Sequence, residues 1–276
     1  MPRFVEEGFG CDDDAALYGW VPGLESIAPY PPRDASMHEF LLGPYARIPT
    51  YYMAAARLVG GTILDLGCGD GRLAVRLARE GFAVVGVDRD TAVLHRLQAR
   101  RERLPWATRW RIAVHRADYA EDDLAAAGRF SMVMMAGATL TAIPPEVRAA
   151  FLKGLRGVLE PGGCLALDYC EHDAARLALD PVRKFNLTIE RRNGLSSLVS
   201  VTQRFADGIE QIVYDSSELG SDGGMRRHLS TTTKYVVSER DLRSSLAAAG
   251  WRVERNLRTS VGAGVHNRFT VCRPRD

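Results

Sequence analysis

The 276-residue chain has no apolar run approaching the roughly 18 residues that would cross a bilayer, so no membrane span is expected. Its first residues, MPRFVEEGFGCDDD, lack the apolar stretch of a secretory leader, and none is expected. The five cysteines (Cys11, Cys68, Cys164, Cys170 and Cys272) are odd in number and scattered. They form no C-x-x-C pair and no Cys/His cluster, which argues against a zinc site and against a disulfide framework. No metal is expected, and a reducing cytoplasm is the expected location. An excess of charge is missing too: 36 Lys and Arg face 34 Asp and Glu. A gross electrostatic footprint for nucleic acid is therefore not expected. Lysine is scarce, occurring only as Lys153, Lys184 and Lys234. The dominance of arginine reads as coding bias, not as a phosphate-binding device.

What is present centres on Thr62 to Asp88, TILDLGCGDGRLAVRLAREGFAVVGVD. Ile63 to Leu66 are mostly apolar, as in a strand buried on both faces. Asp65-Leu66-Gly67-Cys68-Gly69-Asp70-Gly71 then turns the chain, with glycines that let a ligand meet bare backbone. Arg72 to Glu80 predict a helix with one apolar face, ended by Gly81. Ala83 to Val87 predict a second strand, with Asp88 at its carboxyl end. A dinucleotide fingerprint, G-x-G-x-x-G, would need its third glycine at position 72, which is Arg72. The pattern here is D-x-G-x-G-x-G.

That pattern resembles motif I of the class I S-adenosylmethionine (SAM)-dependent methyltransferases. The likeness spans roughly residues 60 to 172 and 238 to 273. It implies SAM as cofactor, cradled by Asp65, Gly67, Cys68, Gly69 and Gly71, with Asp88 and its neighbour Arg89 at the ribose. It also implies that an acid after the third strand, here Asp118 followed by Tyr119, meets the adenine. At the end of the fourth strand, Phe130 to Met135, it implies backbone near the sulfonium, at Ala136 and Gly137. The Leu159-Glu160-Pro161-Gly162-Gly163 turn before a fifth strand, Cys164 to Tyr169, is a frequent companion of motif I in the family. The fold implied is a doubly wound α/β sheet of seven mostly parallel, Rossmann-like strands. An N-terminal helical lid and an inserted antiparallel β-meander complete it.

Four parts follow: an extension and lid (residues 1–59), a SAM-binding core (60–175), a β insertion (176–236) and the rest of the core (237–276). Residues 1 to about 35 read as irregular, with Pro22, Pro29, Pro31 and Pro32 opposing a helix. In the lid, Tyr45, Tyr51 and Tyr52 are candidates to line the acceptor pocket, and His38 reads as a surface residue. Thr139 and Tyr169 are further candidates near the strand ends. The insertion carries four β-patterned runs with Asn193-Gly194 and Asp207-Gly208 as hairpin turns. It is expected to wall the substrate pocket, to form a homodimer contact or to be a simple edge extension. Ser238 with Asp241 marks a helix start. Trp251 to Leu257 and Arg268 to Arg273 are the last two strands, the final one antiparallel. The loop between them is expected to hold His266, another substrate candidate.

The chemistry implied is displacement at the SAM methyl carbon, to which the protein contributes mainly proximity and orientation. No Lys or His stands beside a motif as an evident base, which favours an amine acceptor that arrives neutral. Tyrosine faces near a cation would add about 0.5–2 kcal/mol. The lid and insertion resemble those of bacterial natural-product N-methyltransferases, so the expected partner is a small-molecule or peptide amine. O- or C-methylation, and a SAM-binding protein without turnover, are the alternatives. A nicotinamide-dependent oxidoreductase is opposed by the glycine spacing.

Overall fold

The structure is a computed structural model that describes residues 24–26, 48–122, 124, 128–190, 196–219, 224–262 and 264–275. His38, Tyr45 and the Asn193-Gly194 turn lie outside the described residues. In chain order, the elements begin with β1 (Leu24–Ser26), α1 (Ile48–Val59), β2 (Thr62–Leu66), α2 (Arg72–Arg79) and β3 (Ala83–Asp88). Next come α3 (Thr91–Glu102), α4 (Trp106–Arg109), β4 (Ile112–Arg116), β5 (Phe130–Met135), α5 (Pro145–Leu155) and β6 (Leu159–His172). Then follow α6 (Ala174–Leu179), β7 (Val182–Glu190), β8 (Ser196–Ala206), β9 (Ile209–Leu219) and β10 (Met225–Tyr235). The chain ends with α7 (Glu239–Ala248), β11 (Trp251–Gly262) and β12 (Val265–Pro274). No described helix is long and apolar enough to cross a membrane.

The chain divides into two compact units, Met1–Leu41 with Asp180–Thr233, and Leu42–Leu179 with Lys234–Asp276. The larger is built on a seven-stranded sheet in the order β11-β12-β6-β5-β2-β3-β4. Strands β2 to β6 run parallel, while β12 lies antiparallel between β6 and β11. The chain leaves β2 through β3 and β4 on one side, then returns to build β5 and β6 on the other. The switch point therefore lies between β2 and β5, where a doubly wound sheet opens a crevice at its carboxyl edge.

Strand alternation sorts the core into two layers. Ile63, Met132, Met134, Cys164 and Ala166 pack with Tyr52 and Ala56 of α1 and Leu73 and Leu77 of α2. Leu64, Leu66, Val133, Met135, Leu165 and Leu167 face the other way, onto Leu152 and Leu155 of α5 and Leu242 and Leu246 of α7. Burying one such side chain fully contributes about 1.5–3 kcal/mol. Helix starts follow their signals. Asp90 caps α3 by accepting from the N–H groups of Ala92 and Val93. Ser238 accepts from Asp241 N–H at 3.1 Å and donates to its carboxylate at 2.6 Å. Trp251 is buried, and its Nε1 donates to the Leu152 carbonyl at 2.8 Å, which pins α5 to the start of β11.

Three expectations change. The Glu160-Pro161-Gly162-Gly163 segment does not precede β6 but lies within it, as a bulge. Phe130 pairs with Leu159 and Met132 with Cys164, so the extra residues loop out of the ladder around Gly162 at φ +75°. The last two strands are longer than expected and leave only a short connection, because β6 runs on to His172 and gives β12 a partner from Val265 to Cys272. His266 therefore sits in β12, in register with Glu171 and Ser260, instead of in a loop. Finally, Leu24–Ser26, expected to be irregular, pairs in parallel with β10.

The smaller unit contains the four expected strands, and β1 extends them to a sheet in the order β1-β10-β9-β8-β7. Val199, Val201 and Ile212 form its buried cluster, with Tyr214 against it. Asp207 (φ +51°) and Gly208 (φ +77°) make the tight turn between β8 and β9, as a two-residue hairpin with a primed turn demands. Arg227 forks onto Asp215 from the neighbouring strand.

Candidate active site

The candidate site occupies the carboxyl edge of β2, β3, β5 and β6. After Leu66 the Gly67 and Cys68 N–H groups both donate to the Val87 carbonyl, at 2.8 and 3.1 Å, which staples the glycine turn to the end of β3. Gly67 has φ +68°, and a Cβ there would lie 2.7 Å from Cγ2 of Thr139. Gly71 has φ +76° and directly precedes α2; its Cβ would meet Cδ1 of the buried Leu97 at 2.1 Å. Both positions need glycine for conformation and for space. Gly69 differs. The space where its Cβ would point is open to 4 Å, so its backbone faces free volume.

Asp88 is held from both sides. Its Oδ2 accepts from Gly69 N–H and its Oδ1 from Asp90 N–H, each at 3.0 Å. Burial pushes its pKa up, while those backbone N–H groups pull it down. Asp65 is buried beneath the same turn. Burial, then the Asp88 charge, raises its pKa well above the usual carboxylate range, and Arg72 draws it back. Cys68 contributes backbone only. Its thiol packs among Val75, Leu94 and Leu97 and against Gly86, and burial pushes its pKa up.

Beyond β3, Arg89 pairs with Asp118 at 3.3 Å with its own side chain largely exposed. Asp118 also accepts from Ala120 N–H and turns the chain, while its own N–H donates to Asp122. Tyr119 stacks toward Phe151, with ring centroids 6.2 Å apart.

On the other side of the switch point, the turn after β5 holds an unusual backbone. Gly137 (φ +71°) and Ala138 (φ +62°) are both left-handed. Thr139 Oγ1 donates to the Ala136 carbonyl at 2.7 Å, and Thr141 Oγ1 to that of Ala138 at 2.6 Å. Below this turn lies Asp168, buried in β6, whose Oδ1 accepts from Gly137 N–H at 2.9 Å and from the Tyr52 hydroxyl at 2.8 Å. Burial raises its pKa; the Tyr52 hydrogen bond and the Gly137 and Ala138 N–H groups oppose the rise. Asn267, itself buried, comes close enough to lower that pKa too, although its amide atoms make no hydrogen bond of full geometry among the described residues.

The sequence reading named Tyr52 but missed Asp168. Its signal was an acid inside the otherwise apolar run CLALDY. Tyr51 and Tyr52 both lie against Phe269, with centroids at 5.4 and 5.0 Å. Tyr52 is fully buried and so shapes the site from beneath instead of lining it. Tyr169 is a correction. Alternation along β6 turns it away from Asp168 and into the layer with Val237, Leu242 and Trp251. His266 is half-buried in β12, beside Glu171 in register.

The ligand this edge suits is set by its charge. A buried carboxylate, Asp65, and a half-buried one, Asp88, lie close enough there to interact electrostatically, and burial disfavours their ionised forms. A cationic ligand restores the balance, and the open face over Gly69 gives it room. Comparison with known proteins finds similarity to methyltransferases. Residues 63–163 match the model of a methyltransferase domain. An uncharacterised methyltransferase of Mycobacterium bovis is 43% identical over 105 residues, 38% of this chain and 48% of that protein. The chain thus spans about half the length of that relative. The cypemycin N-terminal methyltransferase of a Streptomyces species is 29% identical over 174 residues, 63% of this chain and 66% of that one.

Among solved structures, a SAM-dependent methyltransferase of Clostridium acetobutylicum superposes with a TM-score of 0.72 at 13% identity, covering 88% of this chain and 98% of that one. The glycopeptide N-methyltransferase MtfA with sinefungin gives 0.61 at 18%, covering 95% and 97%. At such identities these two likenesses show the fold. The fold is that of SAM-dependent methyltransferases, and residues 63–163 are similar to a methyltransferase domain.

Proposed function

We propose that the protein transfers the methyl group of SAM to an amine of a small molecule or modified peptide. The observation that carries the reading is the Asp88 carboxylate, fixed by Gly69 and Asp90 N–H groups beside left-handed glycines. Held this way, it retains lone pairs for the two hydroxyls of a ribose. Asp65, buried next to it, suits the ammonium of the methionine moiety. Ala136 and Gly137 are proposed to approach the sulfonium, and Asp118 with Tyr119 the adenine. Tyr51 and Thr139 are the proposed contacts on the acceptor side.

SAM supplies a methyl group already activated by its sulfonium. The chain's own work is to orient and to exclude water. The turn at Gly67–Gly71 and the turn at Ala136–Thr139 meet where Thr139 covers Gly67, closing the site from two sides. A nitrogen lone pair forms the new N–C bond as the C–S bond breaks, and the nitrogen proton leaves to solvent. An amine acceptor is supported by the name of the cypemycin relative, an N-terminal methyltransferase.

The test pairs calorimetry with turnover. SAM and S-adenosylhomocysteine should bind and NAD should not. Labelled SAM should transfer methyl to members of an amine panel that includes peptides with a free N-terminus. Binding of NAD in preference to SAM overturns the reading.

A further inference from the structure

Asp168 makes a set of contacts that no ribose or adenine role requires. One oxygen, Oδ1, takes hydrogen bonds from two separate parts of the chain: Gly137 N–H in the turn after β5, and the Tyr52 hydroxyl on α1. The same hydroxyl lies 2.9 Å from the carbonyl of Met135, the last residue of β5. Two residues beyond Gly137, Thr139 covers the face of Gly67 so closely that a Cβ there would fall 2.7 Å from its Cγ2. The contacts form one series: α1 to Asp168, Asp168 to the β5 turn, and that turn to the glycine turn.

The β5 turn needs such support. Ala138 holds φ +62°, a conformation that costs an alanine about 1 kcal/mol and persists only where surroundings impose it. Its neighbours supply part of the hold, since Thr139 and Thr141 tie down the Ala136 and Ala138 carbonyls. Those bonds are internal to the turn and do not fix where the turn stands on the sheet. Asp168 does, because β6 is a central strand buried along most of its length. Tyr52 is in turn fixed by its edge-on contact with Phe269 of β12.

We infer that Asp168 is a positioning residue that sets the β5 turn against the glycine turn and couples that setting to helix α1 through Tyr52. Burial also favours this assignment over a role as base. Asp168 and Tyr52 are 3% and 0% exposed, and Oδ1 of Asp168 is already engaged by donors of the chain itself. The inference rests on the reading of the site as a SAM pocket only for its effect on affinity. The effect on the turn itself does not depend on it.

The test uses the full-length protein and three variants: Asp168→Ala, Asp168→Asn and Tyr52→Phe. Amide hydrogen exchange of residues 136–139 is measured without ligand, and the Kd of SAM and S-adenosylhomocysteine by calorimetry. Asp168→Ala should speed exchange across the turn and weaken both ligands by about tenfold or more, the penalty of a displaced contact. Asp168→Asn, which keeps an acceptor oxygen, should recover most of both. Tyr52→Phe should fall between.

Parent-like exchange and affinity in a folded Asp168→Ala protein overturn the inference. So does an Asp168→Asn protein as impaired as Asp168→Ala, since the charge and not the geometry would then matter. If Asp168→Ala does not fold, Tyr52→Phe decides, because it removes one hydroxyl and keeps the ring; unchanged exchange at Gly137 overturns the coupling. A parent protein that binds neither ligand counts against the SAM reading, and the exchange data still judge the positioning role.

Discussion

The hydroxyl of Tyr52 lies 2.8 Å from Oδ1 of Asp168 across 116 residues of sequence. The pair brings a helix that precedes the first core strand to the carboxyl edge of β6. It also accounts for two features that are costly alone: a phenol with no exposure and a carboxylate with almost none. Each meets the other's hydrogen-bonding need, as buried polar groups must.

Asp88→Ala should weaken SAM by about tenfold to a hundredfold. A hydrogen bond to a charged group is worth about 1.5–3 kcal/mol, and each 1.4 kcal/mol is tenfold in Kd. Titration calorimetry of the folded variant measures it, and unchanged affinity would remove Asp88 from the site.

Gly71→Ala should destabilise the fold by about 2–5 kcal/mol. It adds left-handed strain of about 1–2 kcal/mol to overpacking of about 1–3 kcal/mol against Leu97. Gly69→Ala also carries the strain, with φ +55°, but its Cβ meets open space and spares the packing cost. Thermal unfolding of the two variants should rank them in that order, and the reverse order would contradict the account of the turn.

The unliganded protein should lose stability as pH rises above about 4, the ordinary carboxylate region. Asp65 has its pKa raised by burial and by Asp88, so the folded state holds a proton that the unfolded chain has released. The sign follows: this contribution is full below the unfolded pKa of 3.8 and is lost as pH climbs through the raised folded value. Asp65→Asn should flatten the profile and raise the melting midpoint at neutral pH, while weakening SAM. Differential scanning calorimetry from pH 4 to 8 tests both halves; an unaltered slope would show that Asp65 is not the group responsible.

Trp251→Phe should cost about 1–3 kcal/mol, since it leaves the buried Leu152 carbonyl without its indole donor. Denaturant melts read this directly. A loss under about 0.5 kcal/mol would mean that the carbonyl finds another partner.

The chemistry of the glycine turn was readable because it is local. Gly67, Gly69 and Gly71 act through backbone conformation over a few residues, and Asp65 and Asp88 stand in and at the end of strands whose apolar runs are plain. The β8–β9 turn was legible for the same reason, as Asp207-Gly208 states its own geometry. Misreadings came where pairing partners decide. The run Glu160 to Gly163 looks like a turn by composition, yet β5 pairs on both sides of it and makes it a bulge. His266 looked like a loop residue until β6 proved long enough to pair with it.

The succession of strand, glycine turn, helix and acid follows from the order of residues alone, because short-range sterics and strand periodicity govern it; the cofactor class is what its resemblance to motif I implies. Which face Tyr169 takes, what satisfies Tyr52, and why an acid stands inside β6 were settled only when distant segments met. Hydrogen bonds between groups far apart in the chain leave no spacing to read, since packing of α1 across the sheet, not sequence separation, brings them within reach.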